Sequence, residues 1–549
     1  MTLGELLRQR ATDPADADRI YLRFEDATWT FAATYREACR YANLFVARLD
    51  PAAPKHIGLL LENRPEFVFA ELGAALAGAV IVGLNPTRRG EHLARDIAYS
   101  DCQIVITEPK FAGLLADVPV PLVLTAEDSL SEALSTQPES DPAIPVTPDD
   151  LCLIVFTSGT TAGPKGVLRS HGKLILMSTG AAYMMTGATR DDVVYCAMPL
   201  FHANAQVLAL GMSLAVPCGL VLVRCFSKSR FLDDVRRYGA TLFNYVGSPL
   251  AYVMDTPEHP DDAQNPLRLA YGNEAPRQYV DAFAHRFGCK VVDGYGSSEV
   301  GVSFQRGPDD PPGSLGRAGD GMKILREDGT ECAVATFDAH GHLTNHEETI
   351  GEIVNVESRG MFEGYWKNDE ATTSRTRGER YYTGDLGYRD AAGFVYFAGR
   401  DVEWLRVDGE NFLARPVEQI LLRHPDVFLC AVYGVPDAEA GDRVMAALAL
   451  REGATFDPDA FARFLDAQSD LSPKWRPTYV RIVAELRRSE THKVVKRELQ
   501  REKFLGVDGP DAIWWQPRGA ATYRRFMTTD LAELRHQFAR AGNAARLDT

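Results

Sequence analysis

A loop rich in glycine and hydroxyl side chains follows an apolar run in LCLIVFTSGTTAGPKGVLRSH, residues 151–171. Glycine lets a backbone approach an anion closely, hydroxyl groups and amides donate hydrogen bonds, and a lysine adds positive charge. The segment therefore predicts a buried strand that leads into a polyphosphate-binding loop. The loop comprises Thr157, Ser158, Gly159, Thr160, Thr161, Gly163, Lys165 and Gly166, and all of these except Gly163 and Gly166 are expected to bind ATP.

This loop does not fit the Walker pattern of P-loop kinases and NTPases, which is Gly-x4-Gly-Lys-Ser/Thr. Counting from Gly159, Pro164 stands at the second glycine, and Gly166 stands at the hydroxyl that would bind magnesium. The Walker interpretation therefore fails at two positions. An ordinary surface turn is the structural alternative for the same string.

A second candidate segment is DGYGSSEVG, residues 293–301, where two glycines allow a tight bend. The bend would present Tyr295, Ser298 and Glu299. An aromatic ring can stack on adenine, and a carboxylate can hold Mg²⁺ against phosphate oxygens. Taken alone, a YGxxE string is more often an ordinary turn.

Three further polar residues stand next to apolar or glycine-rich stretches. Asp385 in TGDLGY could accept hydrogen bonds from ribose hydroxyls, and Arg400, fifteen residues later, could donate from its planar guanidinium. His202 in PLFHANAQ is expected at the end of a buried strand. In isolation, each of these residues is more often a surface or structural feature than a ligand.

The order of the segments is more informative than any one of them. TSGTTAGPKG resembles the phosphate loop of the adenylate-forming superfamily, which comprises acyl-CoA synthetases, luciferases and peptide-synthetase adenylation domains, although Ala162 replaces the usual glycine. The later segments, in the order typical of the superfamily, are MPLFHANAQ, YGNEAP, DGYGSSEVG, YYTGDLGYRD, FAGR, VDGENF and RRSETHKVVKREL. The GEN, FNYVG and GNEAP strings are similar to those of the fatty-acid-transport and carnitine-type CoA ligases.

The resemblance implies roles for residues that spacing alone does not assign. It implies a catalytic set of Lys493, Glu299 and His202, with Glu299 as the magnesium ligand. Lys496 is the alternative lysine in that segment, and His492 stands where glycine is usual. Besides the phosphate loop, the implied ATP ligands are Asn273, Glu274, Asp293, Gly294, Tyr295, Gly296, Ser298, Asp385 and Arg400. The implied acyl pocket comprises His202, Tyr245, Val246, Gly247, Gly272, Gly296 and Val300. The hinge is expected at Glu403, and the CoA contacts at Gly409, Glu410 and Asn411.

Short Val-, Ile- and Leu-rich runs alternate with longer helical stretches from about residue 55, which predicts βα units with largely parallel strands. We therefore expect an α/β fold: a large adenylation domain, 1–400, of βα subdomains and a β-rich subdomain. A hinge, 401–403, and a small mobile α+β lid domain, 404–503, would follow. The tail, 504–549, contains a helical stretch and has no role readable from sequence.

The length, composition and net charge of the chain favour a multidomain soluble enzyme of the cytoplasm. The net charge of −16 makes a broad nucleic-acid-binding face improbable. Scattered cysteines predict no disulfide and no structural zinc. The start of the chain does not resemble a secretion signal, and the apolar stretch 72–84 is too short to cross a bilayer, so it is expected to be a buried helix that runs into a strand. A homodimer is possible.

The expected reaction uses Mg·ATP to turn a carboxylic acid into acyl-AMP and pyrophosphate, and then passes the acyl group to coenzyme A. The pocket segments are rich in apolar side chains, so a hydrophobic acid is expected. An enzyme that passes the acyl group to a carrier protein is the nearest alternative. A luciferase-like oxygenase and a catalytically inactive binding protein are the others.

Replacing Lys493 tests the catalytic assignment. If its charge stabilises the α-phosphate as the carboxylate attacks, Lys493→Ala lowers adenylation by about 10²–10³-fold. Thioester formation from supplied acyl-AMP changes far less, because that step does not need this charge. Equal losses in the two half-reactions, measured by pyrophosphate release and by acyl-CoA formation, would contradict the assignment.

Overall fold

The computed structural model divides into two compact units. Unit 1 comprises Met1–Asp310 and Asn355–Tyr382, and unit 2 comprises Pro311–Val354 and Thr383–Thr549. The structure describes all residues except 157–164, 248, 274, 276, 308–309, 312, 338–342, 401–403, 408–409, 439–441, 469–470, 489–493, 508, 518, 542 and 549. Unit 2 therefore groups the predicted β-rich subdomain with the C-terminal α/β segments.

The first 150 residues alternate helices and strands. Their elements are α1 (Leu3–Thr12), β1 (Ile20–Phe24), β2 (Ala27–Thr30), α2 (Phe31–Arg48), β3 (His56–Leu60), α3 (Pro65–Ala77), β4 (Val80–Gly83), α4 (Gly90–Tyr99), β5 (Cys102–Thr107), α5 (Pro109–Ala112), a 3-10 turn (Gly113–Leu115), β6 (Leu122–Thr125) and α6 (Ser129–Ser135). The prediction of a buried helix followed by a strand in residues 72–84 is confirmed, because α3 and β4 are buried along their lengths.

Residues 151–310 continue the βα alternation and contain two π-helical segments. Their elements are β7 (Leu151–Phe156), β8 (Gly166–Ser170), α7 (His171–Gly180), a π-helix (Ala181–Thr186), β9 (Val193–Cys196), α8 (Ala203–Ala205), a second π-helix (Gln206–Gly211), α9 (Met212–Ala215), β10 (Gly219–Leu222), α10 (Phe231–Tyr238), β11 (Leu242–Val246), α11 (Pro249–Met254), β12 (Leu269–Asn273), α12 (Arg277–Phe287), β13 (Lys290–Gly296) and β14 (Ser303–Gln305).

The rest of the chain is richer in strands. Its elements are β15 (Ser314–Arg317), β16 (Met322–Leu325), α13 (His346–Thr349), β17 (Gly351–Asn355), α14 (Asp369–Arg375), β18 (Thr376–Arg377), β19 (Arg380–Arg389), β20 (Phe394–Arg400), β21 (Trp404–Val407), β22 (Glu410–Leu413), α15 (Ala414–Leu421), β23 (Val427–Pro436), β24 (Asp442–Leu450), α16 (Pro458–Asp466), β25 (Tyr479–Val483), α17 (Lys496–Glu502), β26 (Ala512–Trp515), β27 (Arg524–Arg525), α18 (Thr528–Arg540) and α19 (Ala545–Asp548).

Two sheets form the framework of unit 1. One has the order β6-β5-β3-β4-β7-β8, and the other has the order β14-β13-β12-β11-β9-β10-β1-β2. The interior strands pair in parallel, as the buried apolar runs predicted, and antiparallel pairs lie at the edges. Because the strands β11, β12 and β13 are adjacent and parallel, their carboxyl ends share one edge, which is where open α/β sheets bind ligands.

Helices α2 and α3 pack closely in the core of unit 1. A side chain at Gly73 would place its Cβ atom 2.5 Å from the Cβ of Tyr41 and 2.8 Å from the carbonyl oxygen of Ala38. Glycine is therefore required at this crossing, and the prediction of a glycine-containing buried helix has a packing reason.

Within the part of the chain that the structure describes, every helix is too short or too polar to cross a bilayer. All nine cysteines lie in that part as free thiols, and eight of them are buried.

One carboxyl group lies inside the apolar core of unit 1. Glu71 of α3 is 3% exposed, and its Oε2 accepts a hydrogen bond of 2.8 Å from Nε2 of Gln206. Burial raises the pKa of Glu71 to about 8, against the smaller opposing effect of that hydrogen bond.

The raised pKa of Glu71 predicts a pH dependence of stability. In the folded chain Glu71 keeps its proton up to about pH 8, whereas in the unfolded chain the same carboxyl group releases it near the ordinary pKa of glutamate. The contribution of Glu71 to the free energy of unfolding is therefore complete at low pH and is lost as the pH rises toward 8. Glu71→Gln, a neutral side chain of similar shape, removes this loss. Between the ordinary pKa of glutamate and pH 8, the free energy of unfolding of the variant should rise relative to that of the wild type by about 1.4 kcal/mol per pH unit. Unfolding midpoints between pH 5 and pH 8 measure the difference, and parallel curves for the two proteins would contradict the prediction.

Candidate functional site

The predicted phosphate loop connects two strands of one hairpin. Strands β7 and β8 pair antiparallel, with Phe156 opposite Gly166. The loop residues Thr157, Ser158, Gly159, Thr160 and Thr161 lie outside the described residues, so their role stays a prediction. Lys165 is described, and its Nζ lies 5.7 Å from the ring centroid of Tyr365, at the limit of a cation–π contact.

Glu299, the predicted magnesium ligand, is buried in unit 1 beside a tyrosine. It is 8% exposed, and its Oε1 accepts a hydrogen bond of 2.8 Å from the hydroxyl of Tyr365. Burial first, and then the nearby carboxylate, raises the pKa of Tyr365, so this hydroxyl stays a donor. Tyr365 was not predicted from sequence as a site residue.

The positively charged side chain of Arg375, in α14, also lies near Glu299. Burial lowers its pKa, but the neighbouring Tyr381, Tyr365 and Glu299 outweigh that effect and the net shift is upward. A cation that keeps its charge in this surrounding offsets the desolvation of the Glu299 carboxylate. The residue lies 76 positions after Glu299 in the sequence, and its neighbours gave no signal of this role.

The turn that presents Glu299 is held from two sides. Arg169 of β8 is 4% exposed and donates to the carbonyl of Ser298 (2.7 Å) and to that of Met361 (2.6 Å). Val300 has a φ of +50°, which is unusual for a β-branched residue and marks local strain. Its amide donates to Ser297, and its carbonyl accepts from Met361 (both 3.1 Å). Arg169 therefore fixes the backbone beside the carboxylate.

The sequence contained one signal for Arg169. GVLRSH is an apolar strand interrupted by a single arginine, and a charged residue in a buried strand usually has a specific partner. Here the partners are backbone carbonyls, which sequence does not identify.

The predicted residues of β11, β12 and β13 meet at their shared carboxyl edge. The hydroxyl of Tyr245, which is fully buried, donates to Oδ1 of Asp293 at 2.9 Å, and the amide of Ala275 donates to the same oxygen at 3.0 Å. The Asn273 amide nitrogen, when oriented toward the carbonyls of Gly272 and Gly294, lies 2.9 and 3.3 Å from them. The structure thus gives Tyr245 a supporting role for Asp293, in addition to its predicted place in the acyl pocket.

At two positions on this edge, the geometry of the backbone favours glycine. A Cβ at Gly272 would lie 1.9 Å from the carbonyl oxygen of Tyr245 on the neighbouring strand. Gly247 has a φ of +70° directly after Val246, and its amide donates to the carbonyl of Asn273 at 2.9 Å. These glycines shape the strand ends, and their contact with an acyl group stays a prediction.

Tyr295 and Gly296 form the end of β13. The ring of Tyr295 is half-buried, with its centroid 5.7 Å from that of Phe304. A Cβ built at Gly296 meets no described atom within 4 Å, so this position borders open space. Glu274 lies outside the described residues.

His202 lies at a helix start rather than at a strand end. Strand β9 ends at Cys196, and His202 is the N-cap of α8, with its Nδ1 accepting from the amide of Asn204 at 3.4 Å. The expectation of a strand end is therefore corrected: the turn Ala197–Phe201 separates the histidine from the strand.

A narrow cavity in unit 1 lies next to these residues. It is small, with a volume of about 10 Å³, which is room for about one water molecule. Its walls are mostly apolar, with polar side chains from β8, the second π-helix and the turn before Glu299. The lining residues are Leu153, Val155, Val167, Arg169, Leu174, Ala203, Gln206, Val207 and Ser298. It lies between residues adjacent in sequence to His202 and to Glu299.

In unit 2, the predicted ribose ligands occupy paired positions. Asp385 of β19 stands opposite Arg400 of β20 in the antiparallel register. Gly384, with a φ of +70°, donates its amide to Oε1 of Glu352 (2.6 Å), and the amide of Asp385 donates to Oγ1 of Thr383 (3.0 Å). The structure thus brings the two backbones together, and the Arg400 side chain is outside the description.

The predicted hinge and lysine positions are flanked by described elements. Glu403 and Gly409 lie outside the described residues, and Glu410 and Asn411 belong to β22, which pairs with β21. Lys493 also lies outside them. Lys496, the alternative catalytic lysine, forms an ion pair of 2.8 Å with Glu418 of α15. This pairing gives Lys496 a structural role, and the assignment of Lys493 as the catalytic residue stays a prediction.

The family of AMP-binding enzymes matches residues 7–366, and the AMP-binding enzyme C-terminal domain matches residues 416–493. The chain belongs to the AMP-binding enzyme family. The predicted resemblance to the adenylate-forming superfamily is therefore confirmed.

Several curated relatives are similar along most of their length. The medium/long-chain-fatty-acid–CoA ligase FadD17 of Mycobacterium marinum is 45% identical over 89% of this chain and 94% of its own. The steroid-22-oyl-CoA synthetase of Rhodococcus jostii is 42% identical over 98% and 97%. The crotonobetaine/carnitine–CoA ligase of Salmonella choleraesuis is 30% identical over 90% and 99%. These relatives agree with the predicted enzyme class, a CoA ligase. They also agree with the predicted similarity to the carnitine-type CoA ligases.

Solved structures show the same fold. ATP-bound MatB from Rhodopseudomonas palustris has a TM-score of 0.78 at 26% identity and covers 92% of this chain and 99% of its own. The anthranilate CoA ligase AuaEII, solved with anthranoyl-AMP, has a TM-score of 0.80 at 23% identity, with coverage of 91% and 96%. The predicted α/β fold class is confirmed.

Glu299 is a suitable ligand for magnesium, because Mg²⁺ prefers carboxylate oxygens and usually completes its shell with water and phosphate. Among the described residues, no three His, Cys, Asp or Glu side chains form a ready-made metal cluster.

Replacing Glu299 tests this role. Glu299→Gln keeps the shape and loses the charge, so the apparent affinity for Mg²⁺ falls and high Mg²⁺ restores part of the adenylation rate. The matched control is Glu363→Gln, because the Glu363 carboxylate accepts the Ser170 amide at 2.8 Å and has no predicted contact with metal. Pyrophosphate release titrated with Mg²⁺ measures both variants. An unchanged magnesium dependence in Glu299→Gln would remove Glu299 from the metal site.

Proposed function

We propose that this chain is an AMP-forming acyl-CoA synthetase that activates a hydrophobic monocarboxylic acid. The observation that carries the proposal is the buried Glu299 carboxylate, held by the Tyr365 hydroxyl beside the carboxyl edge of a parallel sheet, in a chain matched by both domains of the AMP-binding enzyme family. The relatives named as CoA ligases support coenzyme A as the acceptor.

In the first step, a carboxylate oxygen attacks the α-phosphorus of ATP, and the bond from that phosphorus to the bridging oxygen breaks to release pyrophosphate. No covalent link to the enzyme is needed, so positioning and charge neutralisation supply the catalysis. Lys493 would neutralise the α-phosphate, the loop 157–165 would hold the outer phosphates, and Asp385 with Arg400 would bind ribose. Mg²⁺ held by Glu299 would offset the charge of the leaving phosphates.

In the second step, the sulfur of coenzyme A attacks the acyl carbon of acyl-AMP, the thiol proton is lost, and AMP leaves. The lysine is not required here, and a path for the thiol must open. The family resemblance implies that the C-terminal domain turns about Glu403 between the two steps, which would bring Gly409, Glu410 and Asn411 toward coenzyme A.

Three observations support a hydrophobic acid. The cavity beside Ala203 and Ser298 has mostly apolar walls. The guanidinium of Arg169, which also lines it, donates to two backbone carbonyls instead of standing free for a second carboxylate. The relatives include ligases named for medium- and long-chain fatty acids and for a steroid acid. We therefore propose a long-chain or bulky monocarboxylate as the substrate of this chain.

A panel of acids assayed with and without coenzyme A tests the proposal. Decanoate, palmitate and a polycyclic carboxylate should outperform acetate and succinate in pyrophosphate release, because burying apolar area favours the larger acids and a second carboxylate would be buried unpaired. Coenzyme A should yield acyl-CoA and AMP. Acetate or succinate as the best substrate would contradict the acid class, and acyl-AMP accumulation with coenzyme A present would favour a carrier protein as the acceptor.

The hinge assignment separates a two-step ligase from an enzyme that only adenylates. Proline fixes φ near −65° and removes an amide hydrogen, so Glu403→Pro should block a rotation that needs a large φ/ψ change there. The variant should release pyrophosphate in a single turnover and form acyl-CoA much more slowly. Burst and steady-state rates measure the two steps. Full acyl-CoA synthesis by a folded Glu403→Pro protein would place the pivot elsewhere.

A further inference from the structure

The C-terminal tail, residues 504–549, follows the end of the C-terminal family match at residue 493. In unit 2 it is an integral part of the fold. Strand β26 pairs antiparallel with β25, and β27 pairs with β26, which completes the sheet β23-β24-β25-β26-β27. Phe504 and Phe526 are buried against Tyr479, with ring centroids 5.0 and 5.7 Å from it. The tail is therefore built into the domain that carries the lysine segment.

Lys503 connects this tail to helix α17. It is the C-cap of α17, it is 6% exposed, and its φ of +51° with a ψ of −133° is a backbone conformation that a lysine adopts only with strain. Its Nζ donates to the carbonyls of Leu547 (2.8 Å) and Arg546 (3.1 Å) in α19. A buried ammonium requires such acceptors, so the end of α17 and the last helix of the chain are tied together.

The last helix is itself anchored to the body of the domain. Asn543 donates its side-chain amide to the carbonyl of Ala438 at 2.9 Å, and Arg546 donates to the carbonyl of Asp437 at 3.1 Å. Both acceptors follow strand β23. Lys503 is thus held against a fixed part of the domain, although its partners lie more than forty residues later in the chain.

Two ion pairs hold the first and the last residue of α17. Lys496 pairs with Glu418 at 2.8 Å, and the same Glu418 oxygen accepts the amide of Val432 at 2.8 Å. Glu502 pairs with Arg481 of β25 at 2.7 Å, and Arg481 also lies 3.3 Å from Asp511 of the tail. The helix is therefore held at both ends, and two of its attachments depend on residues after 503.

Helix α17 begins three residues after Lys493. The amide of Val495 donates to the carbonyl of Arg487 at 2.9 Å, and Val494 forms a β-bridge with Arg488. These contacts join the start of α17 to the stretch that precedes the lysine. A shift of the helix axis would consequently move both chain ends from which the lysine segment extends.

We propose that the C-terminal tail is a positioning element for adenylation, and that Lys503 is the positioning residue through which it holds α17, the helix that begins three residues after Lys493. This rests on the proposed function, in which Lys493 acts in the first half-reaction. Two of the predicted CoA contacts, Glu410 and Asn411, belong to a different element, strand β22. Loss of the tail contact should therefore affect adenylation more than thioester formation.

The test compares Lys503→Met with Lys474→Met in the full-length chain. Methionine keeps the unbranched side chain and removes the ammonium, and Lys474 is an exposed lysine of the same unit outside the proposed machinery. Lys503→Met should lower single-turnover pyrophosphate release by roughly tenfold or more, as expected for a displaced catalytic group. Acyl-CoA formation from supplied acyl-AMP should fall less than about twofold, and Lys474→Met should match the wild type in both half-reactions.

Hydrogen exchange supplies a readout that does not depend on turnover. In Lys503→Met, the amides of α17 should exchange faster while those of β24 remain protected, because the helix loses one of its anchors. Arg546→Met, which weakens the docking of the last helix, should show the same pattern to a smaller extent.

Equal losses in both half-reactions would show a purely structural role and overturn the proposal. Unchanged exchange in α17 would overturn it as well, whether or not the chain makes acyl-CoA. Absence of acyl-CoA formation by the wild-type chain would instead contradict the proposed function, and the exchange experiment would still decide whether the tail restrains α17.

Discussion

The burial of Glu299 constrains the structure of the candidate site in unit 1. A carboxylate taken out of water is unfavourable unless hydrogen bonds and opposite charge compensate it. The Tyr365 hydroxyl supplies a direct hydrogen bond, and Arg375 lies near enough to interact electrostatically. Arg169 holds the adjacent backbone, so contacts within the protein itself fix the position of the carboxylate. Such preorganisation is what an enzyme needs when it catalyses by positioning and charge neutralisation.

The large elements were predictable because local sequence determines them. The apolar run 151–156 forms β7, the stretch 72–84 forms the end of α3 and β4, and the segment FLCAVYGVP forms most of β23. Continuous apolar runs of this length are typical of strands buried on both faces, and that pattern does not depend on distant residues. The family order of the segments then implied the roles of the polar residues between them.

The supporting residues were not predictable, because each acts across a long sequence separation. Tyr365 lies 66 positions from Glu299, Arg169 lies 129 positions from Ser298, and Gln206 lies 135 positions from Glu71. A tyrosine or an arginine in a strand is usually a packing or surface residue, and only the folded chain shows its partner. Similarly, the tail showed a helical pattern in sequence, whereas its pairing with β25 is a property of the sheet.

The two lysines of the C-terminal segment illustrate how structure refines a sequence assignment. Both belong to the basic string around residue 495, and charge alone does not distinguish them. Lys496 forms an ion pair with Glu418, whose oxygen also accepts the Val432 amide, so its charge is engaged in holding α17 to the domain. In the proposed function, the catalytic lysine approaches the α-phosphate in the first step and withdraws before the second. The proposed function therefore divides the two roles: Lys496 anchors α17, and Lys493 is the lysine proposed to act at the α-phosphate.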